Sequence, residues 1–145
     1  MHNRFLWLTL AILWCLSIFI VSGSPSATGG STQALLKHIF KLTEEQAALV
    51  NLLFRKGVHL TAFGFLAFLF FMSFEKRRYV LAWLLTTLYA ATDEWRQVFL
   101  PNRDGTVVDV VLDSLGAIIA LSLIKLFTRR RLPSKGILQY KGERN

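Results

Sequence analysis

A short stretch of an otherwise apolar chain carries Asp93, Glu94, Arg96, Gln97, Arg103, Asp109 and Asp113. Lys56 and His59, three positions apart, open an earlier apolar run. These residue types permit three chemistries. Arg103, through its planar fork, suits a phosphate or carboxylate ligand. One of Asp93, Glu94 or His59 suits a general base, with Arg103 stabilising developing negative charge. Carboxylates together also suit a divalent cation. No spacing is diagnostic of any one of the three, and no metal or cofactor is assigned. The ligand-binding candidates are Lys56, His59, Asp93, Glu94, Gln97, Arg103, Asp109 and Asp113; the catalytic candidates are Asp93, Glu94 and His59.

The elements that must position these groups are long and apolar. The 145 residues are 53% hydrophobic and 18% charged, which argues against a soluble enzyme, a disordered chain or a disulfide scaffold. The mean hydropathy is +0.43. A single cysteine, Cys15, makes no internal bridge and reads as a small apolar residue. Apolar runs cover Phe5–Val21, Val58–Phe74, Tyr79–Thr92 and Thr106–Phe127. A hydrocarbon core of about 30 Å needs roughly 20 helical residues. The third run reaches that length only if its helix continues past Asp93 and Glu94 toward Leu100. The first run is longer than a signal-peptide core, so a retained helix is expected.

Between the first two runs, residues Pro25 to Thr32 are small and polar and read as a loop. Leu35, Leu36, Ile39, Phe40 and Leu42 then recur at helical spacing beside Lys37 and Lys41, as in a helix lying at a membrane surface. Thr43-Glu44-Glu45-Gln46 reads as a capping box that opens the second long helix.

Charge sets an expected orientation. Arg4, the short basic link Lys76-Arg77-Arg78 and the basic segment from Lys125 to Arg144 fall on one side of a four-helix arrangement. That side is expected to be cytoplasmic, with both termini there. The excess of positive charge is then a topology signal, and no nucleic-acid motif accompanies it. The outer ends of all four helices offer polar groups at one depth. Asp93 and Gln97 share a helix face, as do Asp109, Asp113 and Gly116, and Gly116-Ala117 would admit another helix closely. Val110, Val111, Leu112 and Leu115 would face lipid. Each ionised group in a spanning helix costs about 2.5–3.5 kcal/mol or more, so these must be paired or hydrated. Arg103 paired with Asp109 or Asp93 would make a purely structural clamp, which is the competing reading.

Asp93-Glu94-x-x-Gln97-x-Phe99-x-Pro101-x-Arg103, followed by Asp109-Val110 and Gly116-Ala117, resembles the signature of VanZ-like membrane proteins. Lys56-x-x-His59 and Phe19-x-x-Ser22-x-Ser24 are similar to earlier blocks of that family, so the likeness covers most of residues 18–121. Phe63 stands where a Tyr is common, and Asp113 where Asn is frequent. The resemblance implies a small multi-pass membrane protein. The family's founding member is associated with resistance to teicoplanin, a lipid-bearing glycopeptide.

The expected fold is all-α: an integral membrane bundle of four transmembrane helices, with a short amphipathic surface helix between the first two. Residues 1–127 form the membrane domain and 128–145 a basic, disordered cytoplasmic tail. The expected function is an outward-facing polar pocket that binds, or protects against, an amphiphilic cell-envelope ligand. Membrane lipid and a lipid-linked or glycopeptide ligand are the expected partners, with no nucleic acid; partner proteins are not named by the sequence. The alternatives are a membrane-embedded hydrolase or transferase acting on a lipid-linked or cell-wall precursor, and a structural or partner-binding membrane protein.

Overall fold

A computed structural model describes residues 3–24, 29–100 and 105–130. The described residues form five helices and no strand: α1 (Arg4–Gly23), α2 (Gly29–Phe40), α3 (Glu44–Ser73), α4 (Arg78–Gln97) and α5 (Val107–Arg130). The surface helix expected around Leu35–Leu42 is α2, but it starts earlier, at Gly29. Gly29–Thr32, expected as loop, is helical despite weak propensity, because α2 packs against α3. Of the segment expected as a tail from residue 128, Thr128 to Arg130 belong to α5, and the rest lies outside the described residues.

Thr43 caps α3 as its sequence foretells. Its side chain accepts from Gln46 N, and Gln46 Oε1 accepts from Thr43 N at 3.1 Å. The helix then runs unbroken for 30 residues, about 45 Å at 1.5 Å per residue. A link through Arg77, whose φ of 50° is left-handed, turns the chain into α4. Arg4 Nε stands 3.4 Å from Glu75, which puts the start of α1 and the α3–α4 link at the same end of the bundle.

Helix α3 is the hub: α1, α2, α4 and α5 all pack against it. Helices α4 and α5 also pack together, and α1 touches α4. The core combines large α3 side chains (Phe63, Leu66, Phe70, Phe71) with small residues on its neighbours, Ala11, Ala82, Ala90 and Ala117. Small residues let helix backbones approach closely where lipid offers no hydrophobic drive between them. Helices α3 and α5 approach closely at Gly116, where a Cβ would lie 2.5 Å from the Leu60 carbonyl oxygen. The close-packing role expected of Gly116-Ala117 is therefore met. Polar side chains add cross-helix links. Trp14 Nε1 donates to Ala62 O at 3.0 Å, Tyr89 OH to Cys15 O at 2.6 Å, and Trp83 Nε1 to Ser114 Oγ at 3.0 Å.

Outside this core the surface is apolar. Phe5, Ile20, Val21, Val80, Leu88, Val111 and Leu115 are all exposed. Val110, expected toward lipid, instead packs against the core. Among the described residues three helices are long and apolar enough to cross a membrane: α1, α3 and residues Val107–Thr128 of α5. Four were expected. Helix α4 has the length but not the composition, because its last turns carry Asp93, Glu94, Arg96 and Gln97. The first three of those four, with Arg78, exceed what an uncomplicated span tolerates.

Candidate functional site

At the end of the bundle opposite Arg4 and Glu75, four helices contribute polar side chains. Asp93, Glu94 and Gln97 of α4 and Asp113 of α5 are buried. Helical spacing turns Asp93 and Gln97 to one face, and Gln97 Nε2 donates to Asp93 Oδ2 at 2.9 Å. Gln97 also donates to Glu94 Oε1 at 3.2 Å, tying the two carboxylates to one amide.

Asp93 is the anchor of α1. Its Oδ1 accepts the Ser22 hydroxyl at 2.8 Å and the Arg96 guanidinium at 3.1 Å. Arg96 reaches on to Ser22 Oγ and to the Phe19 carbonyl oxygen, 2.9 Å away, and its guanidinium lies 3.8 Å from the Phe19 ring centroid. The last turn of α1 is thus held by one arginine through charge, hydrogen bonds and a ring face.

Glu94 points the other way, toward α5. Its Oε2 accepts Thr106 N at 3.1 Å, just ahead of that helix. Gly105 permits this meeting, because a Cβ there would lie 2.0 Å from the Glu94 carbonyl oxygen. Thr106 Oγ1 accepts Asp109 N at 3.1 Å and so caps the first turn of α5.

Two pairs join α3 to α5. Lys56 Nζ bonds Asp109 Oδ1. One turn deeper, His59 Nδ1 stands 3.4 Å from both carboxylate oxygens of Asp113. Phe63, where relatives in the resembled pattern often carry Tyr, is buried and stacks beside His59 with centroids 6.1 Å apart.

Seven of the eight expected binding residues can therefore be placed. Lys56, His59, Asp93, Glu94, Gln97, Asp109 and Asp113 meet in one cluster built from α3, α4 and α5. Arg103 lies outside the described residues. Among the described residues, the two carboxylates named in the competing Arg103 clamp pair with other cations. Asp109 pairs with Lys56, and Asp93 with Arg96. Arg96 and Ser22 are the members that sequence reasoning left off its list of binding and catalytic candidates. Arg96 follows Asp93 by three positions, a same-face spacing that signals an intrahelical pair. The long-range bond of Ser22 to Asp93 had no local signal.

With this geometry in view, comparison with known families matches residues 6–128 to VanZ/LLP1. The chain belongs to the VanZ/LLP1 family. The match begins earlier and ends later than the 18–121 likeness seen in the motifs, and it takes in most of α1 and the whole α2–α3 segment. Every residue of the cluster falls inside the VanZ/LLP1 region. No curated protein and no solved structure matches the chain. The family assignment therefore gives a VanZ-like membrane protein and leaves its chemistry to be argued from the cluster.

Proposed function

We propose that this VanZ-like protein binds the polar headgroup of an amphiphilic cell-envelope ligand at the cluster, on the outer side of the cytoplasmic membrane. In this reading α4 also spans, giving four transmembrane helices with both termini cytoplasmic. Its length of about 30 Å at 1.5 Å per residue suffices. Its ionic groups near the outer end turn into the bundle, while Val80, Leu84 and Leu88 face outward. The basic Lys76-Arg77-Arg78 link favours the cytoplasmic side for that end.

One observation carries the binding reading: buried ionisable groups from separate helices share one level beside a broad exposed apolar surface. Lys56 pairs with Asp109 in the first turn of α5, so residues 44–55 of α3 extend about 18 Å beyond it at 1.5 Å per residue. Leu49, Leu52, Leu53 and Phe54 on that extension are exposed, as are Leu35, Ile39 and Phe40 on α2. A ligand with an acyl tail would lay the tail along these residues and its headgroup toward Arg96 and Lys56. Teicoplanin, which bears such a tail, is one ligand of this kind.

The test is susceptibility to teicoplanin and vancomycin in a sensitive Gram-positive host, with wild type and Asp93→Asn at matched membrane levels. Selective teicoplanin protection that disappears in Asp93→Asn is the expected result. A well-expressed wild type giving no protection removes teicoplanin as the ligand. Absence of binding to a panel of acylated envelope precursors in nanodiscs would then remove the headgroup reading itself.

A membrane hydrolase or transferase acting on such a precursor is the second reading, favoured by the closeness of His59 to Glu94 and Asp113, whose facing atoms all lie within 4.8 Å. Glu94→Asp separates the two. Binding tolerates the shorter carboxylate, whereas acid–base catalysis loses its placement and most of its rate.

A further inference from the structure

We propose that His59, Glu94 and Asp113 form a binding site for one divalent transition-metal ion of the zinc or manganese type. One ligand atom from each of these residues, on α3, α4 and α5, lies within 4.8 Å of the other two. Bonds of about 2.0–2.2 Å at tetrahedral angles place two ligand atoms about 3.4 Å apart, so binding draws the three together by up to about 1.4 Å.

Charge accounting points to a cation. Four carboxylates enter the cluster. Asp93 is matched by Arg96, and Asp109 by Lys56. Among the described residues no lysine or arginine pairs with Glu94 or Asp113. Two buried carboxyl groups thus face one imidazole. A doubly charged ion would supply the counter-charge that two ionised carboxylates in so buried a place require.

A separate observation concerns Asp113 itself. Its side chain is 0% exposed, and its Oδ1 accepts no hydrogen bond. The nearby His59 Nδ1, at 3.4 Å from both oxygens, is beyond the usual 2.7–3.2 Å range of an N–H···O bond. A fully buried carboxylate oxygen without a hydrogen-bond donor is available to ligate an ion.

The donor set narrows the ion. Imidazole with two carboxylates suits zinc, manganese or iron, whereas calcium and magnesium favour oxygen donors alone. Outer contacts already orient two ligands. Glu94 is held by Thr106 N and Gln97 Nε2, and the His59 ring by Phe63. Three protein ligands leave further positions on the ion for water or a headgroup oxygen. The ion site does not depend on the headgroup reading, which a lipid-binding assay tests separately.

The full chain, carrying His2→Ala and His38→Ala to remove other histidines, is purified in detergent without chelator. Metal content, zinc titration after chelation and the visible spectrum of the cobalt-loaded protein are measured. The expected result is one zinc per chain, a cobalt spectrum of low coordination number, and affinity at least about tenfold weaker in Asp113→Asn. Glu45→Gln, on the exposed first turn of α3, should match wild type. Should Asp113→Asn not fold, melting of the unsubstituted ligand set decides. Zinc raises its Tm and a chelator reverses the rise. No bound metal with an unmoved Tm, or equal metal binding by a folded Asp113→Asn, overturns the site.

Discussion

Gly116 of α5 rests on the backbone of Leu60 in α3, so close that a Cβ at position 116 would stand 2.5 Å from the Leu60 carbonyl oxygen. Gly64, one turn further along α3, is next in the same seam, 3.1 Å from the Gly116 carbonyl oxygen by the same measure. Leu60 follows His59, and Gly116 lies a turn from Asp113. The contact between two backbones therefore sets the separation of the two side chains.

Gly116→Ala should force α3 and α5 apart and lower stability by about 1–3 kcal/mol, the range for overpacking a close contact. Gly57→Ala is the control, since a Cβ there meets nothing within 4 Å and alanine favours helix. Thermal unfolding in detergent, followed by circular dichroism, should show a lower Tm for the first variant and an equal or higher Tm for the second.

Asp93→Ala should be far more damaging than Ser22→Ala. Removing the carboxylate takes the paired counter-charge from the Arg96 guanidinium, with an expected loss of about 3–5 kcal/mol for a broken buried pair. Removing the hydroxyl deletes one hydrogen-bond partner, for about 1 kcal/mol. Equal losses in chemical unfolding would show that Arg96 finds another partner.

Lys56 and Asp109 should be coupled. Lys56→Met and Asp109→Leu are each expected to destabilise, because each leaves a charge behind, while the double variant should recover most of the loss. A double-mutant cycle in a nanodisc measures the coupling. Strictly additive losses would show that the pair is hydrated and contributes little.

Reporter fusions decide how many helices cross. With four spanning helices, tags after Asn145 and before Met1 should respond from the same side of the membrane. With α4 lying outside the bilayer core, they should respond from opposite sides. A cysteine at Lys76 in a Cys15→Ser background should react with an impermeant maleimide only after the membrane is opened.

Much of the helical order was legible because it depends on long uncharged runs and local signals. The Thr43–Gln46 capping box and the Asp93–Gln97 pairing follow from spacings of three and four residues. The partners of the carboxylates were less legible. Lys56 with Asp109 and Ser22 with Asp93 depend on the register between helices distant in sequence, which no local pattern encodes. The early start of α2 was hidden by Gly29, Gly30 and Ser31, whose weak helical preference is overruled by packing on α3. The placement of α4 was hard to read because the residues that lower its hydropathy, Asp93, Glu94 and Gln97, turn inward rather than toward the surroundings.

The links from Lys56 and His59 to Asp109 and Asp113 bear on how the protein is made. Helix α5 leaves the ribosome after α3 and α4, and its two aspartates would each cost about 2.5–3.5 kcal/mol to lodge alone in lipid. Their partners wait on a helix synthesised before α4. The earlier helices must therefore linger at the insertion machinery, or stay associated beside it, until α5 arrives. In the four-span reading, this predicts a late, joint release of α3, α4 and α5 into the bilayer in place of a helix-by-helix hand-off.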